Sequence, residues 1–188
     1  MKVLVLGIGN ILFGDEGIGV HLMNYLKLNY KFTPPLDSSK NPIHSLEFID
    51  GGTLAQALIP LIVEYDFVLI LDTVDASGGN IGDVYSFPFD ALPRQVSWAG
   101  SAHEVEMLQT LRLTQIMGDL PRIHIVGIIP EIIGEDTTFE LSQELLANVF
   151  TMEKEAITQL ESLGFKATKI DSPLPLQQIA SKSYIGFD

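Results

Sequence analysis

Short apolar runs alternate along this chain with longer segments of helical spacing, the pattern of βαβ units and a mainly parallel sheet. Lys2–Leu6 reads as a first strand, and Ile18–Tyr30 as a helix with Ile18, Leu22 and Leu26 on one face. Lys31–Ile43 holds Pro34-Pro35 and Asn41-Pro42 and reads as a long surface connection. Ser45–Ile49 is a second strand, ending at Asp50-Gly51-Gly52-Thr53. Leu54–Glu64 is apolar and helix-like, with Pro60 expected to kink or split it. Phe67–Leu71 is an unbroken apolar run, as a strand buried on both faces requires, and it stops at Asp72.

Beyond it, Asp75–Gly82 is a glycine-rich turn and Val84–Phe87 a short strand. Ser101-Ala102-His103-Glu104 has the form of a capping box, opening a helix to about Met117 that turns Val105, Leu108 and Leu111 inward. Arg122–Ile129 is another strand. The strongest helix is Ser142–Leu163, with Leu145, Leu146, Val149, Phe150, Ala156, Ile157, Leu160 and Leu163 as its apolar stripe and Gly164 as its stop. No periodic element is evident beyond Ile170. The expected architecture is a single three-layer α/β domain over residues 1–170, with helices on both faces of the sheet, and a tail over 171–188.

Composition narrows the chemistry. With 11 Lys+Arg against 24 Asp+Glu, the net charge of -13 disfavours phosphate backbones and anionic lipid, so nucleic-acid and membrane-surface roles are not expected. The chain has no cysteine, which excludes disulfides, thiolate metal sites and cysteine nucleophiles. Any metal must be held by carboxylate and imidazole. The first apolar run stops at Gly7 with no cleavage-like site after it, and no run is long enough to span a bilayer, so the expected location is cytoplasmic.

Gly7-Ile8-Gly9 between a strand and a helix suggests a dinucleotide grip, but the third glycine of that fingerprint is replaced by Leu12. Asp15 and Glu16 stand where phosphate oxygens would sit, so a cation is the better guest. Acidic residues also favour helix N-termini for the macrodipole alone, which leaves a bland reading open for both. Asp72 at a strand end and His103 at a helix start fall, in an open α/β sheet, above the carboxyl ends of the strands. Glu16, Asp72 and His103 together form an oxygen, oxygen, nitrogen set suited to nickel, zinc or another borderline divalent cation.

Rival motifs fail on single residues. His103-Glu104-Val105-Glu106-Met107 lacks the second histidine of a zinc-protease helix, and Asp72-Thr73-Val74 lacks the glycine of a pepsin-like loop. No Gly-x-Ser-x-Gly elbow is present.

Several motifs, read in order, carry a resemblance. They are Gly7-x-Gly9-Asn10-x-Leu12-x-x-Asp15-Glu16-x-Ile18-Gly19-Val20, Asp50-Gly51-Gly52-Thr53, Leu69-Ile70-Leu71-Asp72, Ser101-x-His103 and Val126-Gly127-Ile128-x-Pro130-Glu131. From Val3 to about Gly164 the chain closely resembles the hydrogenase maturation endopeptidases. The resemblance implies that Glu16, Asp72 and His103 contact a metal. It also implies an endopeptidase that removes a C-terminal extension from the precursor of a nickel-iron hydrogenase large subunit after nickel insertion. Nickel, carried by that substrate, is then the recognition signal.

Two mechanisms stay open. The trio's metal polarises the scissile carbonyl or a water, or the metal only docks the substrate while Asp50 or Asp15 activates water. Asp50 has a competing reading as a loop-shaping residue. The other function classes are a nucleotide- or dinucleotide-binding module and a non-catalytic nickel-sensing chaperone. A monomer is expected, no association motif being evident.

Overall fold

A computed structural model describes residues 1–37, 39–92, 96–97, 102–131 and 136–187, and of 55–56, 97 and 102–107 it describes the backbone alone. Strand β1 (Lys2–Ile8) leads through a loop and a 3₁₀ turn (Gly14–Gly17) into α1 (Ile18–Asn29). The short strand β2 (Tyr30–Thr33) follows directly, then β3 (Ser45–Gly52) and α2 (Ile59–Ile62). Next come β4 (Phe67–Thr73), β5 (Asp75–Ala76), β6 (Val84–Pro88), β7 (Val96–Ser97), α3 (Ala102–Met117) and β8 (Arg122–Ile128). The chain continues through α4 (Gln143–Ser162), β9 (Lys166–Lys169) and α5 (Leu176–Lys182).

The main sheet has the order β3-β1-β4-β8-β6, parallel except for the antiparallel edge strand β6. Strand β4 is buried at all seven positions, as its unbroken apolar run requires. Alternation along the strands divides the core in two. Val3, Val5, Leu69, Leu71, Val126 and Ile128 face α1 and α4, while Leu4, Leu6, Val68, Ile70, Ile123 and Ile125 face the α2 and α3 side. The result is the three-layer α/β arrangement expected from the alternation.

The close fit of α1 to the sheet rests on glycine. A Cβ on Gly19 would overlap the carbonyl oxygens of Leu71 and Ile8, and one on Gly7 would lie 2.6 Å from the Gly19 carbonyl. Backbone therefore meets backbone where α1 starts, beside the ends of β1 and β4.

Several expectations need correcting. Tyr30 ends no helix: it starts β2, which pairs antiparallel with β9 and converts part of the anticipated surface connection into a two-stranded ribbon. Leu54–Glu64 is split into two pieces as expected, a 3₁₀ turn and α2, but the break falls before Pro60, which lies in the first turn of α2, where a missing N–H costs nothing. Phe150 is 62% exposed, at the margin of the α4 stripe, and Met152 is buried instead. The tail beyond Ile170 carries α5, which buries Leu176, Ile179 and Ala180. Ser101, the expected cap of α3, lies outside the described residues. Among the described residues, no helix is long and apolar enough to cross a membrane.

Candidate active site

The loop after β1 owes its shape to a network of backbone hydrogen bonds. Gly9 N–H donates to the Gly52 carbonyl at 3.0 Å, Phe13 N–H to Asn10 O at 3.2 Å, and Glu16 N–H to Phe13 O at 3.2 Å. The Asn10 side chain accepts from Leu12 N–H at 3.1 Å. Gly9 adopts a φ of 132°, and a Cβ there would overlap the Glu16 carbonyl oxygen. Glycine is thus required at this position twice over, by conformation and by contact. The amides that a dinucleotide grip would turn toward a pyrophosphate are spent inside the loop, which removes the physical basis for that reading.

Glu16 occupies the 3₁₀ turn and is half-buried. Asp72 is completely buried near the end of β4, and its Oδ1 accepts the Thr73 N–H at 2.7 Å. Strands β1 and β4 are neighbours in register, with Gly7 opposite Leu71, so both carboxylates stand at the carboxyl end of the sheet. Residues alternate along β4, and Asp72 shares the face of Val68 and Ile70, the side on which α3 packs.

Helix α3 reaches the amino-terminal end of β8 after Met117, so it runs antiparallel to that strand and begins at the carboxyl end of the sheet. The His103 backbone lies in its first turn, on the same side as Asp72. Its side chain is outside the described residues. Among the described side chains, no three His, Cys, Asp or Glu residues are grouped so as to hold a metal ion. The fold sets the turn that carries Glu16 beside β4, the strand of Asp72, and α3 begins at the same end of the sheet.

Asp15 has a different place from its neighbour. Its side chain is wholly buried and, from the described residues, accepts hydrogen bonds from Glu131 N–H at 2.9 Å, Ser142 N–H at 2.8 Å and Ser142 Oγ–H at 2.7 Å. A carboxylate engaged in this way is no free base, so the water-activating role considered for Asp15 is set aside. Asp50, at the end of β3, accepts the Gly52 N–H at 2.9 Å, the loop-shaping contact anticipated for it. Partial desolvation of the Asp50 carboxyl raises its pKa above the ordinary carboxylate value, against the opposing pull of that hydrogen bond.

One buried group was missed from the sequence. His21 on α1 is fully buried, and among the described residues neither ring nitrogen has a hydrogen-bond partner. Its Nε2 fills the space where a side chain on Gly17 would project, 2.7 Å from such a Cβ. Desolvation lowers its pKa to about 4, so the imidazole is neutral near pH 7. The available signal was its spacing: His21 follows Ile18 by three residues and so shares its buried face.

Comparisons with known proteins bear on the family and the fold. The family model for hydrogenase maturation proteases matches residues 20–159. The chain belongs to the hydrogenase maturation protease family. Protein HydD of Wolinella succinogenes is 53% identical over 168 residues, covering 89% of this chain and all of that one. The hydrogenase 2 maturation protease of Escherichia coli is 29% identical over 132 residues, 70% of this chain and 74% of that one. Among solved structures, the hydrogenase maturating endopeptidase HybD from E. coli superposes with a TM-score of 0.74 over 90% of this chain and 98% of its own, at 24% identity, and so supports the fold. This maturation protease is therefore a peptidase, and the family match spans Asp72 and His103 while Glu16 lies just ahead of it.

Proposed function

We propose that this maturation protease removes a C-terminal extension from the precursor of a nickel-iron hydrogenase large subunit after nickel insertion. In this reading Glu16, Asp72 and His103 contact the nickel that the precursor carries. The reading is supported by the turn that carries Glu16 following β1, by Asp72 near the end of the neighbouring strand β4, and by His103 in the first turn of α3. Two carboxylates and an imidazole make a donor set matched to a borderline divalent cation such as nickel or zinc. Glu16 and Asp72 supply charge that favours a cation-bearing substrate over the apo precursor, so maturation state is read before cleavage. A carboxylate in reach of the scissile carbonyl then takes the proton from the attacking water, with Asp50 as the candidate outside the trio.

The test is processing of nickel-loaded and nickel-free precursor, with the released C-terminal peptide identified by mass spectrometry. Glu16→Ala, Asp72→Ala and His103→Ala are each expected to lower kcat/KM at least about a hundredfold, and the nickel-free precursor to remain uncut. Asp50→Asn separates the two mechanisms. A loss of kcat with KM retained assigns Asp50 to water activation, and unchanged kinetics leave that step to the trio. Processing by all three alanine variants within about twofold of wild type would sink the metal-contact reading.

A further inference from the structure

Asp15 sits one residue ahead of Glu16 in the same 3₁₀ turn, where successive side chains project about 120° apart; Asp15 is buried and Glu16 is half-buried. The inward carboxylate reaches residues 116 and 127 positions away. We infer that Asp15 is a positioning residue for Glu16, fixing the metal-facing turn against the start of α4 through Ser142 and Glu131. The inference deepens the reading above and rests on it.

Helix capping alone does not account for the contact. Ser142 already caps α4, its Oγ accepting the Leu145 N–H at 3.2 Å, and the two N–H groups bound by Asp15 both lie outside the helix. What Asp15 joins is the loop to the segment after β8. A second tie runs alongside: Gly14 N–H donates to Thr138 O at 2.9 Å and Thr138 N–H to Leu12 O at 2.8 Å. On its other side the turn abuts Gly9, which is itself tied to Gly52. Glu16 therefore sits on a backbone held from both flanks. Strand β8 completes the circuit, since Gly127 pairs with Asp72 four residues before Glu131. The lock thus sets Glu16 in relation to Asp72.

The chemistry requires a carboxylate. Both Asp15 oxygens face N–H donors, Oδ1 that of Ser142 and Oδ2 that of Glu131. An asparagine would turn its own NH₂ onto one of them, whichever way it rotated.

The experiment uses the full chain with nickel-loaded precursor, at a temperature where every variant is folded, and reads kcat, KM and Tm. Asp15→Asn is expected to reduce kcat/KM about a hundredfold and Ser142→Ala about tenfold, the range for a displaced catalytic group. Ser142→Thr, which keeps the hydroxyl, should return to within about threefold of wild type. Asn29→Ala is the comparator: it deletes a buried side chain bonded to the Leu174 backbone at the far end of α1. It should lower Tm at least as far as Ser142→Ala while leaving kcat/KM within about twofold. If Ser142→Ala and Asn29→Ala lower Tm alike and both leave kcat/KM unchanged, Asp15 is merely structural and the inference is overturned. Should Asp15→Asn fail to fold, Ser142→Ala with its threonine rescue decides alone. Full activity of Glu16→Ala would overturn the underlying reading, and the inference with it, whereas an inactive Glu16→Ala beside a fully active Ser142→Ala overturns the inference only.

Discussion

The two ends of α1 are both anchored by a buried side chain that reaches a remote part of the chain, yet the anchors differ in kind. At the carboxyl-terminal end Asn29 donates to Leu174 O at 2.9 Å and accepts from Leu174 N–H at 2.8 Å. The neutral amide pairs with the N–H and C=O of one residue much as a strand would and brings the chain into α5. At the amino-terminal end Asp15 accepts from three donors and offers none, and the next residue is Glu16. A neutral, self-contained pair suffices to hold a tail. A charged hub joins three segments where a functional carboxylate must be held in place. The same contrast runs across the sheet: its amino-terminal end has a cavity of about 420 Å³ lined by Phe67, Arg122 and His124 among others, whereas Asp72 lies toward the opposite end of β4.

Substitutions at the carboxyl end should break this contrast most severely. Gly9→Ala drives a methyl group into the Glu16 carbonyl and forbids the native φ, so a loss of about 4 kcal/mol or more is expected by denaturant unfolding, with processing abolished. Tolerance within about 1 kcal/mol would show that the loop is not held as tightly as described.

His21 comes next, and its effect depends on pH. Its pKa is about 4 in the folded chain and near 6.5 when unfolded, so between those values the unfolded state binds more protons and stability falls as pH falls. The contribution is absent above about pH 6.5 and grows to about 3 kcal/mol by pH 4. His21→Leu should therefore match wild type near pH 7 and lose less stability on acidification, as measured by unfolding at a series of pH values. His124, whose pKa is also lowered by desolvation, would leave a residual slope. Equal pH slopes for variant and wild type would contradict the burial of an unpartnered imidazole.

At the other end of α1, Asn29→Ala leaves the Leu174 N–H and C=O without the side chain that bonds them and is expected to cost about 2 kcal/mol. A matching loss of activity would blur the distinction between the two anchors. The smallest effect is expected at Lys169, which bonds Glu153 at 2.9 Å and lies over the rings of Tyr25 and Tyr30. Because its side chain is 41% exposed, Lys169→Met should change stability by no more than about 1 kcal/mol and processing not at all.

Much of this protein was legible locally. Alternating apolar runs dictated the parallel sheet and its helices, since period reports which side of a segment is buried. Gly9 and Gly19 were visible as glycines, and the motifs around Glu16, Asp72 and His103 were enough to name the family. Spacing alone offered Asp15 and Glu16 one shared reading, a pair of acids at a helix start, and only the resemblance set Glu16 apart. Their separation needed the fold, because the donors that claim Asp15 come from Glu131 and Ser142.

The β2–β9 ribbon, the docking of α5 and the partners of Asn29 were hidden for the same reason. Spacing along the chain records the face a residue presents, so the sequence by itself determined the layers, the loop and the candidate chemistry. Hydrogen bonds spanning more than a hundred residues leave no periodic trace, and a carboxylate reads alike whether it meets a metal or a backbone N–H. Only the tertiary structure decided that Asp15 is the acid that anchors the loop, because its donors lie more than a hundred residues away.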